Sequence, residues 1–190
     1  MSNLSLVSKT VECFVVNRMN VHVNQYVLFP PRQSAYWQHH STETAVTIVH
    51  NDIVRSTDAG FVSALVLLDL SAAFDTVDHS ILLEIFTEPF DVENLELDWF
   101  RSYHTARTQT MTTPSGSSAP VALTCSVPQG SVIGSKEIIM YTEDIKETID
   151  RFIINHHLYA DDSQLLAHMK INAVMEHHRR LETCVESLRY

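Results

Sequence analysis

Three aspartates occupy positions from which they can act on one substrate. Asp69 follows the apolar run 61–68, and the pair Asp161 and Asp162 lies between two short strand-like segments. Carboxylates at the ends of two strands can converge on one point, and their hard oxygens suit Mg²⁺ or Mn²⁺. Two such cations about 3.5–4 Å apart hold both oxygens of an in-line phosphoryl displacement. The aspartates therefore point to two-metal chemistry on a phosphate.

The same residues also have an ordinary structural interpretation. Asp69 and Asp75 can cap turns, and Asp161 and Asp162 can be solvated turn residues. Because short motifs match often by chance, the pattern Tyr-Ala-Asp-Asp leaves both interpretations open. The choice between them depends on the segments that surround it.

The elements that must position these residues mix helices with strands. Helical spacing of apolar residues predicts a helix over 6–20, and a second helix is predicted from a cap at Ser41 or Thr42 to Gly60. The run 61–68 predicts a strand buried on both faces. The remaining predictions are helices over 80–86, 95–103, 136–150 and 172–189, and hairpins formed by 108–113 with 121–126 and by 153–159 with 163–169. Without a regular βαβ alternation the fold class is α+β.

Composition excludes several function classes. Thirteen basic against 23 acidic residues give a net charge of −10, which argues against gripping nucleic acid by bulk charge. Cys13, Cys125 and Cys184 are too few and too scattered for a disulfide framework, and adjacent histidine pairs do not form a zinc site, so no zinc is expected. No apolar run approaches the roughly 20 residues of a membrane span, and the first residues do not resemble a secretion signal. We expect an intracellular protein, in the cytoplasm or the nucleus.

Three segments in this order resemble successive motifs of reverse transcriptases. They are LLDLSAAFDTVDH at 67–79, SVPQGSVIG at 126–134 and LYADDSQ at 158–164, and the non-LTR (LINE-type) retrotransposon branch is the most similar. Further segments of the same pattern are SNLS from Ser2, QSAY at 33–36, HSTETA at 40–45 and LDWFRSY at 97–103. The resemblance spans nearly the whole chain.

The resemblance implies a fold and a set of site residues. The fold would be a right-hand polymerase palm, a small antiparallel sheet backed by helices, with a partial fingers portion over 1–60, the palm over 61–190 and no thumb. Asp69, Asp161 and Asp162 would be catalytic and hold two Mg²⁺ ions, with Mn²⁺ possible. The residues expected to contact the nucleotide are Phe74, Gln129, Gly130 and Tyr159. Phe74 corresponds to the aromatic residue that excludes a 2′-hydroxyl.

The implied activity is RNA-directed DNA polymerisation. Its partners would be an RNA template, a DNA primer and deoxynucleoside triphosphates. With a net charge of −10 and no thumb, we expect little processive synthesis by this chain. Two other functions are compatible with the residues: a catalytically dead retrotransposon remnant acting as an interaction module, and a palm-like nucleotidyl cyclase or two-metal nuclease, against which the Pro-Gln-Gly segment at 128–130 argues.

The segment after Gly134 departs from the family pattern. Ser135, Lys136 and Glu137 follow Gly134, where the family has a proline and the apolar start of a helix. A surface position would tolerate the two charges, whereas a buried position would cost several kcal/mol unless they were paired.

Overall fold

The computed structural model describes residues 4–29, 32–37, 39–70 and 72–188 of the chain. The helices are α1 (Leu6–Tyr26), α2 (Thr42–Asp58), α3 (Ala73–Thr76), α4 (His79–Thr87), α5 (Asn94–His104), α6 (Gly134–Tyr141), α7 (Glu143–Arg151) and α8 (Val174–Ser187). The strands are β1 (Val62–Asp69), β2 (Thr108–Gln109), β3 (Thr112–Thr113), β4 (Gly116–Ser117), β5 (Val121–Ala122), β6 (Asn155–Tyr159) and β7 (Asp162–Met169). Ser2, where the segment SNLS begins, and Arg189, the predicted end of the last helix, lie outside the described residues. The predicted α+β class is confirmed.

The chain divides into two compact units, and each consists of two stretches of chain. The first unit is Met1–Leu28 with Ala72–Tyr141, and the second is Phe29–Ser71 with Thr142–Tyr190. The division at residue 60 into fingers and palm portions stays a prediction. The two units are described separately below.

The first unit has a helical core. Helix α4 begins at its cap Asp78, whose carboxylate accepts hydrogen bonds from the backbone N–H groups of Ser80 and Ile81. It contacts both α5 and α6. The fully or almost fully buried side chains of this core include Leu82, Phe86, Phe100, Ile133, Ile138 and Met140.

The two charges that depart from the family pattern are buried in this unit. Lys136 is 8% and Glu137 0% exposed. Glu137 is paired, since its Oε1 lies 2.8 Å from Nε2 of His104, and burial lowers the pKa of Lys136. The sequence indicated that such charges need partners, and His104 of α5 is the partner of Glu137.

The predicted hairpin over 108–126 forms, but its strands are shorter than predicted. β2 pairs antiparallel with β5, and β3 pairs with β4 inside that loop. Each of these strands has two residues. Their side chains are exposed, so little apolar burial supports longer strands.

The second unit is built on a three-stranded antiparallel sheet with the order β1-β7-β6. β7 pairs along its length with β1 and, at its start, with β6. Because β7 is central, it connects the two segments that carry the aspartates. The predicted strands over 61–68, 153–159 and 163–169 thus form within one to two residues of their predicted bounds.

The sheet has one fully covered face. There Leu158, Leu165, Ala167 and Met169 pack on α7 and α8 through Ile145, Ile149, Leu181 and Cys184. Since side chains alternate along a strand, Leu166 points the other way and lines a cavity with Ile48 and Val49 of α2.

Helix α2 begins and ends where the sequence predicts. Ser41 is its N-cap, and its Oγ and the Thr44 side chain form a reciprocal capping box. Gly60 follows the C-cap with φ of 78°, a conformation that favours glycine.

The prediction that β1 is buried on both faces is wrong. Leu67 is 68% and Leu65 41% exposed, whereas their neighbours Val66 and Leu68 pack on the core. β1 is an edge strand of the sheet, and Leu65 and Leu67 lie on its more exposed face. An unbroken apolar run cannot distinguish this case from a fully enclosed strand.

The predicted helix over 136–150 is divided in two. α6 ends at Tyr141 and α7 begins at Glu143, with Thr142 between them. Helix α1 extends further than predicted, to Tyr26. In the described part of the chain, no helix is both long and apolar enough to cross a membrane.

Candidate active site

The aspartates lie at one end of the sheet of the second unit. Asp69 is the last residue of β1 and stands directly opposite Asp162, the first residue of β7. Asp162 is in turn opposite Tyr159, the last residue of β6. Directly opposed residues of an antiparallel pair have Cβ atoms about 4.5–5.5 Å apart and share a face. Asp69, Asp162 and Tyr159 therefore form one row across the three strands.

This row lies on the face of the sheet that α2 covers only in part. By strand alternation it shares a face with Leu67 and Leu65, the exposed residues of β1. Asp69 and Asp162 are exposed and Tyr159 is half-buried. A substrate can thus approach the two carboxylates from solvent.

Asp161 comes from the turn that precedes β7. Ala160 and Asp161 form the two-residue loop between β6 and β7. Ala160 has φ of 55°, and in tight hairpin loops of this length the first loop residue typically has positive φ. The predicted position of the Asp-Asp pair at a hairpin turn is confirmed by this loop.

The three carboxylates influence one another. Partial desolvation raises the pKa of Asp162, and the charges of Asp161 and Asp69 raise it further by smaller amounts. Like charges in close proximity disfavour ionisation, and a divalent cation would remove this repulsion.

The donors fit magnesium in chemistry and in number. Mg²⁺ keeps several waters and is usually bound through one or two carboxylates together with substrate phosphates. Asp69 and Asp162 supply two carboxylates at adjoining positions, and Asp161 adds a third nearby. Among the described residues, no three His, Cys, Asp or Glu side chains are already arranged around a common point.

Residues 32–34 pair with the outer edge of β6, the first strand of the hairpin that carries these acids. The backbone N–H of Ser34 donates to the Leu158 carbonyl at 3.0 Å, and the Leu158 N–H donates to the Arg32 carbonyl at 2.9 Å. Gln33 thereby pairs in parallel with Leu158. Sequence reasoning placed Gln33 in a motif but gave it no role.

The other three candidate residues belong to the first unit. Phe74 is half-buried in α3, and its carbonyl accepts a hydrogen bond from the Val127 N–H at 2.8 Å. Gln129 and Gly130 are exposed at the turn that follows. Gly130 has φ of 96°, which side chains other than glycine rarely adopt.

A buried carboxylate that sequence reasoning missed holds the segment after this turn. Glu12 of α1 is 0% exposed, and its Oε2 accepts from the Val132 N–H at 2.7 Å. Its Oε1 accepts from the Tyr103 hydroxyl at 2.9 Å. Burial, with a contribution from Glu12, raises the pKa of Tyr103 to about 12. In the sequence Glu12 is followed by the apolar residues Phe14 and Val15 of the predicted helix, and this position in a helix with an apolar stripe was the only local signal for the contact.

Comparison with known proteins agrees with these features. The family model described as reverse transcriptase (RNA-dependent DNA polymerase) matches residues 1–190. A "Probable RNA-directed DNA polymerase from transposon BS" of Drosophila melanogaster is 28% identical over 144 residues, which cover 76% of this chain and 16% of that protein. The chain thus spans under a fifth of this relative's length.

Similar solved structures are telomerases. Telomerase from Candida albicans, in complex with a fragment of telomeric RNA, matches with a TM-score of 0.60 and 13% identity, over 94% of this chain and 32% of that chain. Apo telomerase from Candida tropicalis matches with a TM-score of 0.60 and 11% identity, over 88% of this chain and 36% of that chain. At these identities the likeness concerns the fold, and it agrees with the predicted palm and fingers type of α+β architecture.

Proposed function

The chain belongs to the reverse transcriptase (RNA-dependent DNA polymerase) family, and we propose that it carries the nucleotide-addition centre of an RNA-directed DNA polymerase. In this reaction the 3′-hydroxyl of a DNA primer attacks the α-phosphate of a deoxynucleoside triphosphate and pyrophosphate leaves, while an RNA template selects the base. The observation that supports it best is the direct pairing of Asp69 with Asp162. The similarity to a transposon polymerase supports an origin in a LINE-type retrotransposon.

Asp69, Asp161 and Asp162 are the proposed ligands of Mg²⁺, or of Mn²⁺ in its place. Two divalent cations, when bound, lower the pKa of the attacking hydroxyl and neutralise charge on the leaving pyrophosphate. The protein contributes carboxylate oxygens at one end of a sheet, where Asp69 and Asp162 are exposed to solvent. The rigid β7 strand, paired on both sides, limits how far these oxygens can move apart.

Phe74, Gln129, Gly130 and Tyr159 are the proposed contacts to the incoming nucleotide. Tyr159 supports this role by its place beside Asp162 in the row across the sheet. An aromatic ring at Phe74 would exclude a 2′-hydroxyl and so favour deoxynucleotides. Gly130 offers a backbone without Cβ, against which a ligand can lie closely.

Metal binding tests this proposal without requiring a nucleic acid. Titration with Mn²⁺, followed by electron paramagnetic resonance, should show binding by the wild-type chain and at least tenfold weaker binding by Asp69→Asn and by Asp162→Asn. Asp98→Asn, which removes an exposed carboxylate on α5, is the matched control and should bind Mn²⁺ as the wild type does. Equal Mn²⁺ affinity in the wild type, Asp69→Asn and Asp162→Asn would refute the proposed site.

Single-nucleotide addition to a primer annealed to RNA tests the chemistry itself. Removing an electrostatic element of this kind typically costs about 10²–10³ in rate. We expect at least that loss in Asp162→Asn, with Asp98→Asn unaffected. An undiminished rate in Asp162→Asn would show that the activity arises elsewhere.

A further inference from the structure

The side chain of Gln33 is a buried amide whose contacts concentrate on the aspartate hairpin. It is 5% exposed. Its Oε1 accepts hydrogen bonds from the backbone N–H of Ala35 and from the backbone N–H of Ala160, both at 3.1 Å. Its Nε2 donates to the carbonyl of Ala160 at 3.3 Å. One amide therefore binds both backbone polar groups of Ala160.

Ala160 is the residue of the hairpin that most needs such support. Its φ of 55° lies in the left-handed region, where an L-residue other than glycine is strained because its Cβ approaches the following carbonyl oxygen. The two hydrogen bonds between Gln33 and Ala160 offset this strain and hold the loop in its conformation.

The conformation of Ala160 sets the direction of the acids that follow it. Asp161 is the next residue, and Asp162 then enters β7 opposite Asp69. A shift of one residue in this register would move Asp162 to the opposite face of the sheet, because side chains alternate along a strand. The loop conformation and the strand register together decide whether the carboxylates share one face.

We propose that Gln33 is a positioning residue that fixes the Ala160–Asp161 loop and thereby presents Asp161 and Asp162 to the divalent cation. This role rests on the proposed function of the aspartates. Gln33 touches neither the cation nor the nucleotide; it acts through the backbone of Ala160. Partners of this kind behind a metal site typically change metal affinity by 10–100-fold when they are removed.

Gln33→Met tests the role, because methionine has a similar length and no amide. The matched control is Ser34→Ala, since Ser34 is also buried and bonds His157 Nε2 at 2.9 Å rather than the loop. Both variants remove a buried hydrogen-bonding group from the same segment. If Gln33→Met does not unfold cooperatively in urea, Gln33→Leu is used in its place.

Two measurements are made on each full-length variant. The first is amide hydrogen exchange at Ala160 without metal, which should become at least tenfold faster in Gln33→Met and stay unchanged in Ser34→Ala. The second is the Mn²⁺ dissociation constant from electron paramagnetic resonance, which should rise 10–100-fold in Gln33→Met only.

The outcomes separate this role from the proposed function. If the wild type binds Mn²⁺ through Asp69 and Asp162 and Gln33→Met binds it equally well, the positioning role is overturned and the function stands. The same holds if Ser34→Ala weakens Mn²⁺ binding as much as Gln33→Met does. If the wild type does not bind Mn²⁺ but exchange at Ala160 still accelerates in Gln33→Met, the proposed function fails and the role toward the cation fails with it.

Discussion

His104 and Glu137 form a buried pair, and replacing one member should change the free energy of unfolding more than replacing the other. His104 Nε2 lies 2.8 Å from Glu137 Oε1, and the two side chains are 2% and 0% exposed. The other polar atoms of the pair, Nδ1 and Oε2, have no hydrogen-bond partner among the described residues. Each side chain therefore depends on the other for its hydrogen bond.

Replacing His104 should be the more damaging change. His104→Leu leaves the Glu137 carboxylate buried with no partner, and removing one member of a buried pair costs about 3–5 kcal/mol. Glu137→Leu leaves an imidazole, which carries no charge when it is deprotonated. The free energy of unfolding should therefore fall by about 1–3 kcal/mol, as for an unsatisfied buried polar group. The double variant replaces both by apolar groups and should be close to the wild type in stability.

Urea unfolding followed by circular dichroism, with linear extrapolation of the free energy of unfolding, measures these values. The matched control is Lys146→Met, which breaks an ion pair of similar length, 2.7 Å, between side chains that are 31% and 47% exposed. Its expected cost is about 0.3–0.5 kcal/mol. The reasoning is refuted if His104→Leu costs no more than Lys146→Met, or if the double variant loses the sum of the two single losses.

Two further predictions concern the adjacent histidines of β6 and the first residue of α6. Burial lowers the pKa of both His156 and His157 below the ordinary value of 6.5, so the unfolded chain binds more protons than the folded chain near that pH. This contribution to stability should be fully present above pH 6.5 and decline as the pH falls below it. Urea unfolding at pH 7.5 and 5.5 should show a smaller decline in His156→Phe than in the wild type, and an equal decline would contradict the prediction. Gly134→Ala should lose about 1–3 kcal/mol, because a Cβ at Gly134 would lie 2.5 Å from Ser131 Oγ and 3.2 Å from the Pro128 carbonyl. Thermal unfolding measures this loss, and an unchanged melting temperature would contradict the prediction.

The sequence predicted the local elements of the second unit well. Ser41 and Gly60 carry the chemical signals that begin and end α2, and these signals act within a few residues of chain. The strands over 155–159 and 162–169 are short segments separated by a turn, and this local pattern predicts a hairpin without knowledge of the rest. The one clear error, the enclosed β1, arose because Leu65 and Leu67 are as apolar as the residues that pack on the core.

For the candidate site, the sequence alone determined the residue types, their order along the chain and the family that they resemble, because motifs and composition are properties of the linear chain. The tertiary structure decided that Asp69 stands opposite Asp162, that Gln33 binds the backbone of Ala160 and that Glu137 is buried against His104. Each of these contacts joins residues far apart in the chain. Their geometry depends on strand register and helix packing, which arise only when the whole core assembles and which no local pattern of residues encodes.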